Sequence, residues 1–351
     1  MATQEGKPAR KPRLRRSNCN MPGITRRRRG KGFSYSAGDG SRVGDPETLE
    51  RIRQLAIPPA WRDVWISPAP NGHIQATGVD DAGRRQYLYH PRWRELKDRE
   101  KFDRALDFAD TLPRARPAVT RLLRGDEPTE ERAYAAAFRL IDEGSLRIGN
   151  EEYAQTNNSF GVTTLQVQHV RLQGDKVELD FPAKSGQQWS AVIEDKDLAN
   201  ALRPLLQRGP EEQALAFQTD DGEWSPISSA GLNDFIREQC GGDFTAKDFR
   251  TWQGTVAAAL ALAEHAPERK SETARKKATS AAAGKKAISA TARKKAVAAA
   301  MREVAEVLGN TPAIARKSYV DPRVVDRFMN GETLDAGSYR AAERSLRDLI
   351  T

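Results

Sequence analysis

Two cysteines, Cys19 and Cys240, and four scattered histidines are all that 351 residues offer for thiol or imidazole chemistry. So few cysteines exclude a disulfide framework and suit a reducing cytoplasm. The histidines and cysteines lack the spacing of a metal site. No glycine-rich loop ends in Lys-Ser or Lys-Thr, so nothing resembles an ATP cradle. Neither a metal nor another cofactor is expected. No apolar run approaches the roughly 20 residues that cross a bilayer. The basic N-terminus has no apolar stretch behind it, as a secretory signal would. Aromatic residues are sparse at 7%.

Charge is plentiful. Charged residues make up 30% of the chain, and Lys and Arg outnumber Asp and Glu by 57 to 48, a net +9. That balance suits a polyanionic partner, either nucleic acid or an anionic membrane. The length allows two domains with sizeable cores.

Residues 1–31 are rich in Lys and Arg, with Arg26-Arg27-Arg28-Arg29 at the end, and read as a disordered basic arm. From 32 to 91, short β-rich runs alternate with Gly and Asn-Gly turns, as a small antiparallel sheet domain would. Residues 92–351 are mainly helical in period. Within them, Phe102 to Ala109 and Val119 to Leu123 read as two helices, and Ala133 to Ile141 as a third. A β-meander follows from Val167 to Ile193, then an irregular link through Ala216-Phe217 and Gly222 to Trp224. Residues 264–296 repeat Ala, Lys and Ser without an apolar stripe, a basic low-complexity insertion between two core helices.

Several residues have chemistry to offer. In Arg84-Arg85-Gln86-Tyr87-Leu88-Tyr89, the two tyrosines share one face of a strand beside arginines. They suit a nucleic-acid backbone or base edges, or a core face. Arg147 stands among apolar residues where a helix runs out, and needs an anion, a helix end, Glu151 or solvent. Lys184 sits at a hairpin tip, solvated or serving as a mobile proton donor. Thr245 opens a helix that sets Lys247 and Arg250 one turn apart, on a solvated or a functional face, with Asp248 and the Trp252 region as anchors. Finally, Leu308-Gly309-Asn310-Thr311-Pro312 ends one helix and starts another that reaches Tyr319 just after Arg316-Lys317. That pattern fits a tyrosine covering a core, or a phenolate supported by cations.

The motifs Gly83-Arg84-Arg85-Gln86-Tyr87-Leu88-Tyr89, Leu146-Arg147-Ile148-Gly149-Asn150-Glu151-Glu152-Tyr153, Phe181-Pro182-Ala183-Lys184, Lys247-Asp248-Phe249-Arg250-Thr251 and Gly309-Asn310-Thr311-Pro312 through Tyr319 stand in one order. In that order the chain resembles the type IB DNA topoisomerases, in particular their bacterial and poxvirus-like branch. The resemblance implies an α+β chain: a small antiparallel β-rich N-terminal domain, and a larger mainly helical catalytic domain of the tyrosine recombinase/topoisomerase type. It implies a monomeric clamp on double-stranded DNA, preferably supercoiled, in the cytoplasm at the nucleoid, with no membrane partner. It implies that Tyr319 attacks a phosphate to give a 3′-phosphotyrosyl bond. Arg147 and Arg250 stabilise the transition state, and Lys184, assisted by Lys247, protonates the leaving 5′ oxygen. Asn310 takes a position where many members have histidine, so it can donate a hydrogen bond but not carry charge. Tyr87, Tyr89, Tyr153, Arg84 and Arg85 fall on the DNA-contacting side.

Two other readings compete. A tyrosine recombinase shares the chemistry, but usually has histidine three residues before the second arginine, where this chain has Lys247. A noncatalytic DNA-binding protein would explain the basic tails, but not Arg147, Lys184, Arg250 and Tyr319 together.

Overall fold

A computed structural model describes residues 13–266, 290–335 and 337–351. The chain divides into two compact units, Met1–Lys101 and Phe102–Thr351.

In the first unit five antiparallel strands run in the order β2-β1-β3-β4-β5. They are β1 (Ile24–Arg29), β2 (Gly32–Ser36), β3 (Arg62–Ile66), β4 (Ile74–Val79) and β5 (Arg85–Tyr89). Helix α1 (Pro46–Gln54) starts at Asp45, whose carboxylate accepts the Thr48 N–H at 2.8 Å. Its Ile52 meets Ile24, Val64, Ile66 and Ala76 to make the core.

The arginine run is a correction to the expected disordered arm. Residues 1–12 lie outside the described residues, but Ile24–Arg29 is a strand between two others. Charge composition concealed a period of two. Ile24 points into the core, and Arg26 on the same face is half-buried. The Arg26 guanidinium donates to the carbonyls of Ile57 (3.2 Å), Pro58 (3.0 Å) and Trp61 (2.7 Å) and lies 4.1 Å over the Phe33 ring. Arg27, Arg28 and Arg29 remain exposed.

The larger part of the chain is mainly helical, so the α+β class holds. Its first helix, α2 (Pro91–Leu123), is continuous where two helices were expected, although it contains Pro113 and Pro117. An interior proline costs about 3 kcal/mol or more. The stripe Leu106, Phe108, Leu112, Ala115, Val119 and Leu123 is buried throughout and offsets that cost, at ~1.5–3 kcal/mol for each large side chain. Phe108 packs edge-on to Phe249, with ring centroids 4.6 Å apart.

Helix α3 (Glu130–Gly144) and the short α4 (Glu151–Asn157) follow. A three-stranded antiparallel sheet comprises β6 (Val170–Gln173), β7 (Lys176–Pro182) and β8 (Gln188–Glu194). Then come α5 (Lys196–Leu202), β9 (Ala216–Gln218), β10 (Trp224–Pro226) and α6 (Ser229–Cys240). The link expected to be irregular is thus a small antiparallel ladder, Trp224 opposite Gln218 and Pro226 opposite Ala216.

At the centre is α7 (Ala246–Glu264), buried on almost every face and packed against α3 and α6. It also packs on α8 (Ala290–Leu308), α10 (Pro322–Met329) and α11 (Tyr339–Ile350), while α9 (Pro312–Ser318) packs on α8. Of the expected low-complexity insertion at 264–296, Glu264 closes α7 and residues 290–296 open α8; residues 267–289 lie outside the described residues.

Candidate active site

Four segments converge on one end of α7. The first is the turn after α3. Ser145 ends that helix in the left-handed region, with φ of 53°, and leaves its carbonyl free to accept. Two residues on, Arg147 is held by its own backbone, since its carbonyl accepts the Val162 N–H at 2.8 Å. The second is α7 itself. Thr245 and Asp248 cap it reciprocally, and Arg104 grips the Asp248 carboxylate with Nε at 2.9 Å. The third is the junction of α8 and α9. The Asn310 N–H returns to the Ala305 carbonyl at 2.8 Å and Gly309 turns the chain at φ of +54°. The fourth is Tyr319, the residue that ends α9.

Arginines tie these segments together. Arg250, only 4% exposed, donates to the Ser145 carbonyl and to the Leu308 carbonyl, both at 2.7 Å. Arg147 is half-buried and donates through one nitrogen to the Gly309 carbonyl and to Asn310 Oδ1, both at 2.8 Å. The Arg250 guanidinium carbon lies 5.1 Å from the centre of the Tyr319 ring. Arg147 therefore bonds the helix junction, not Glu151.

These cations are under strain of an electrostatic kind. Burial, and then the like charge of Arg147, push Arg250 down to about 10, with Tyr319 acting in the opposite direction. Burial also lowers Arg147, again opposed by Tyr319. Both remain cations at neutral pH. Moreover, Arg250 Nε and Asn310 Nδ2 are buried donors with no hydrogen-bond partner among the described residues. A buried unsatisfied donor costs about 1–3 kcal/mol. These two, with the Arg147 guanidinium and a phenol beside them, make a seat suited to an anion with several oxygens.

Tyr319 is positioned from beneath by α7. The Thr255 hydroxyl lies 3.1 Å from the Tyr319 carbonyl and accepts the Asp321 N–H at 3.2 Å. A methyl added at Gly254 would sit 2.9 Å from the same carbonyl and 3.0 Å from Tyr319 Cβ. Gly254 and Thr255 escaped the sequence reading. A glycine inside a helix otherwise rich in alanine was the available signal of close approach.

The other expected residues are placed differently. Lys184 is exposed on the short turn between β7 and β8. Lys247 is exposed on the first turn of α7 and takes no part in the hydrogen-bond network around Arg250. Asp248 and Trp252 do anchor that helix: Asp248 through Arg104, and Trp252 through a 2.9 Å bond from its indole N–H to Glu343. In the first unit, Tyr87 and Tyr89 are 42% and 36% exposed and stack with centroids 6.0 Å apart, so they face solvent and not a core. Arg85 is exposed, and Arg84 is engaged with Asp80 at 3.0 Å. Tyr153 on α4 is 51% exposed.

Residues 90–333 match the family model of the eukaryotic DNA topoisomerase I catalytic core, and residues 32–80 match that of the bacterial DNA topoisomerase IB N-terminal domain. The chain belongs to the type IB DNA topoisomerase family. DNA topoisomerase 1B of Acanthamoeba polyphaga mimivirus is 30% identical over 316 residues, 88% of each chain. DNA topoisomerase 1 alpha of Arabidopsis thaliana is 29% identical over 163 residues, 46% of this chain and 17% of the plant protein. DNA topoisomerase 1 of Mycosarcoma maydis is 26% identical over 176 residues, and again 17% of that protein is covered. The topoisomerase is thus a DNA-acting enzyme with a bacterial-type N-terminal region. No helix among the described residues is long and apolar enough to cross a membrane.

Proposed function

We propose that this topoisomerase relaxes supercoiled duplex DNA by transient cleavage of one strand through a 3′-phosphotyrosyl intermediate, without ATP or metal. The observation that carries this reading is the pair of partnerless buried donors, Arg250 Nε and Asn310 Nδ2, next to Arg147 and Tyr319. In it, the phosphodiester lies on the two guanidiniums and the Asn310 amide. Tyr319 Oη attacks phosphorus and its phenolic proton passes to solvent. The bond from phosphorus to O5′ breaks, and Lys184 gives O5′ a proton that solvent then restores to the amine. The freed strand turns about the intact one, and the 5′ hydroxyl expels Tyr319 by the reverse route. Charge builds on the equatorial oxygens of phosphorus in the transition state, where preorganised donors act most strongly. Asn310 serves there as a neutral donor. Lys247 assists Lys184 from the first turn of α7.

The DNA partner is double-stranded and preferably supercoiled, held by a monomer as a clamp and at the nucleoid. Tyr87, Tyr89, Tyr153, Arg84 and Arg85 contact it. The exposed, stacked tyrosine pair supports that role, since stacked rings flanked by cations suit nucleic acid.

Relaxation of a supercoiled plasmid in EDTA without ATP, run beside Tyr319→Phe, tests the reading. The parent protein should relax both positive and negative supercoils and leave a covalent adduct on DNA. Tyr319→Phe should bind DNA but do neither. Relaxation by the variant, or none by the parent, overturns the proposal.

A further inference from the structure

Two contacts fasten the Lys184 hairpin near the arginine cluster: the Phe160 N–H donates to the Pro182 carbonyl at 2.9 Å, and Trp189 rests on Gly309. Trp189 lies on β8 directly opposite Phe181 on β7, and the next pair toward the tip is Pro182 and Gln188. A bond of 2.7 Å from the Ala183 N–H to the Gln187 carbonyl closes the tip on which Lys184 stands. Trp189 therefore sits near the tip, one strand pair below the last, on the short stem that carries Lys184. The Trp189 indole is partly buried against the helical core. Its edge is seated on Gly309: a methyl there would fall 2.5 Å from Trp189 Cζ3 and 2.9 Å from Cε3. The same methyl position is 3.7 Å from an Arg147 guanidinium nitrogen, and the Gly309 carbonyl is the one that Arg147 bonds. One glycine is thus touched from two sides, by the guanidinium of Arg147 and by the stem just below the lysine tip, and it immediately precedes Asn310.

Gly309 is suited to this twice over. Its φ of +54° favours glycine, and its missing side chain leaves the indole room. The Trp189 Nε1 is buried with no partner among the described residues. An indole kept there despite an idle N–H is used for its flat, wide shape, because a buried indole usually finds a hydrogen-bond partner.

We propose that Trp189 is a positioning residue for proton transfer: seated on Gly309, it sets where the Lys184 amine stands over the leaving oxygen. This rests on the reading of Lys184 as proton donor to O5′. Removing the seat leaves Tyr319, Arg147, Arg250 and Asn310 in place and lets the hairpin drift. A drift of about 1 Å costs roughly 10² in rate, within the 10²–10⁴ that a general acid supplies.

The test uses the whole protein and two duplexes, one with ordinary O5′ at the cleaved bond and one with sulfur there. A thiol loses its proton near pH 8.5, so sulfur leaves as a thiolate and needs no acid. Single-turnover cleavage is measured for the parent, Lys184→Ala, Trp189→Ala, Trp189→Leu and Trp189→Phe. We expect Trp189→Ala to be slowed about 10²-fold on oxygen and to fall within a few-fold of the parent on sulfur, matching the pattern of Lys184→Ala. Trp189→Phe should keep most activity on both. Trp189→Leu, which preserves apolar bulk, gives the same comparison should the alanine variant not fold. Equal slowing of the Trp189 variants on both duplexes, with Lys184→Ala rescued by sulfur, overturns the positioning role alone. Lys184→Ala slowed equally on both overturns the proton-donor reading and the inference with it. Unimpaired cleavage by both Trp189→Ala and Trp189→Leu also overturns it.

Discussion

Replacing Gly254 with alanine should separate stability from chemistry. The added methyl would stand 2.9 Å from the Tyr319 carbonyl and 3.0 Å from both Tyr319 Cβ and Leu308 Cδ1, against an ordinary contact of 3.4–4 Å. Two effects oppose each other in the fold. Alanine favours a helix over glycine by about 0.8–1.0 kcal/mol. Crowding a packed core costs about 1–3 kcal/mol. The balance leaves stability lowered by at most about 2 kcal/mol. The chemistry has no such offset. The Leu308 methyl can swing aside, but the other two crowded atoms belong to the tyrosine, whose carbonyl lies 3.1 Å from the Thr255 hydroxyl. Relieving the contact moves that backbone by several tenths of an ångström and carries the phenol away from Arg250. Since about 1 Å of misplacement costs roughly 10², we expect the covalent complex to form roughly 10- to 100-fold more slowly. Noncovalent affinity for DNA should hardly change, because Gly254 lies inside the protein. A thermal melt, a binding titration and single-turnover cleavage of a short duplex decide it. Cleavage within twofold of the parent, in a protein that melts normally, would refute the claim that α7 seats the nucleophile.

Two other outcomes follow from the ion network. Arg26→Ala removes a cation from three carbonyls and should lower stability by about 2 kcal/mol or more, because hydrogen bonds to charged groups contribute about 1.5–3 each; an unchanged melt would show that the strand does not need it. Burial raises Glu343, but bonds and charge from Arg116 outweigh it, so its carboxyl lies below the ordinary 4.5. A depressed carboxyl contributes stability that is present above its unfolded value and lost as pH falls through the folded one. The melting temperature should therefore fall below about pH 4.5, and Glu343→Gln should flatten that fall; an unaltered acid limb would exclude Glu343 as a source.

Much of the candidate site was legible because its residues break local rules. Arg147 among apolar residues and Tyr319 behind two cations each lacked a local reason, and both lie in the cluster. The break at Leu308-Gly309-Asn310-Thr311 was legible as capping chemistry, and Thr311 does accept the Ile314 N–H at 3.3 Å. What the sequence hid was tertiary. The arginine run of β1 read as a tail because composition masks alternation, whereas Arg26 finds its carbonyls more than thirty residues away. Continuity of α2 through two prolines is likewise decided by burial at a distance. Lys247 and Arg250 share a helix turn, yet one is exposed and the other buried, a distinction that spacing cannot draw.

The cluster also explains how two guanidiniums stay adjacent before a phosphate arrives. Like charges that sense each other at burial should part or be neutralised. Among the described residues, no carboxylate neutralises Arg250. Chain carbonyls at the ends of α3 and α8 hold it instead: Ser145 and Leu308 for Arg250, and Gly309 for Arg147. Carbonyls fix geometry while leaving the net positive charge uncancelled. An aspartate in their place would satisfy the arginines more cheaply, but it would compete with any anion placed there. The arrangement therefore keeps both cations oriented and still short of negative charge, and the idle Arg250 Nε and Asn310 Nδ2 point to the same shortage. In the proposed mechanism, whose transition state concentrates charge on phosphate oxygens, that shortage is the useful quantity: it is relieved only when the phosphate is bound, and most fully when its charge is greatest.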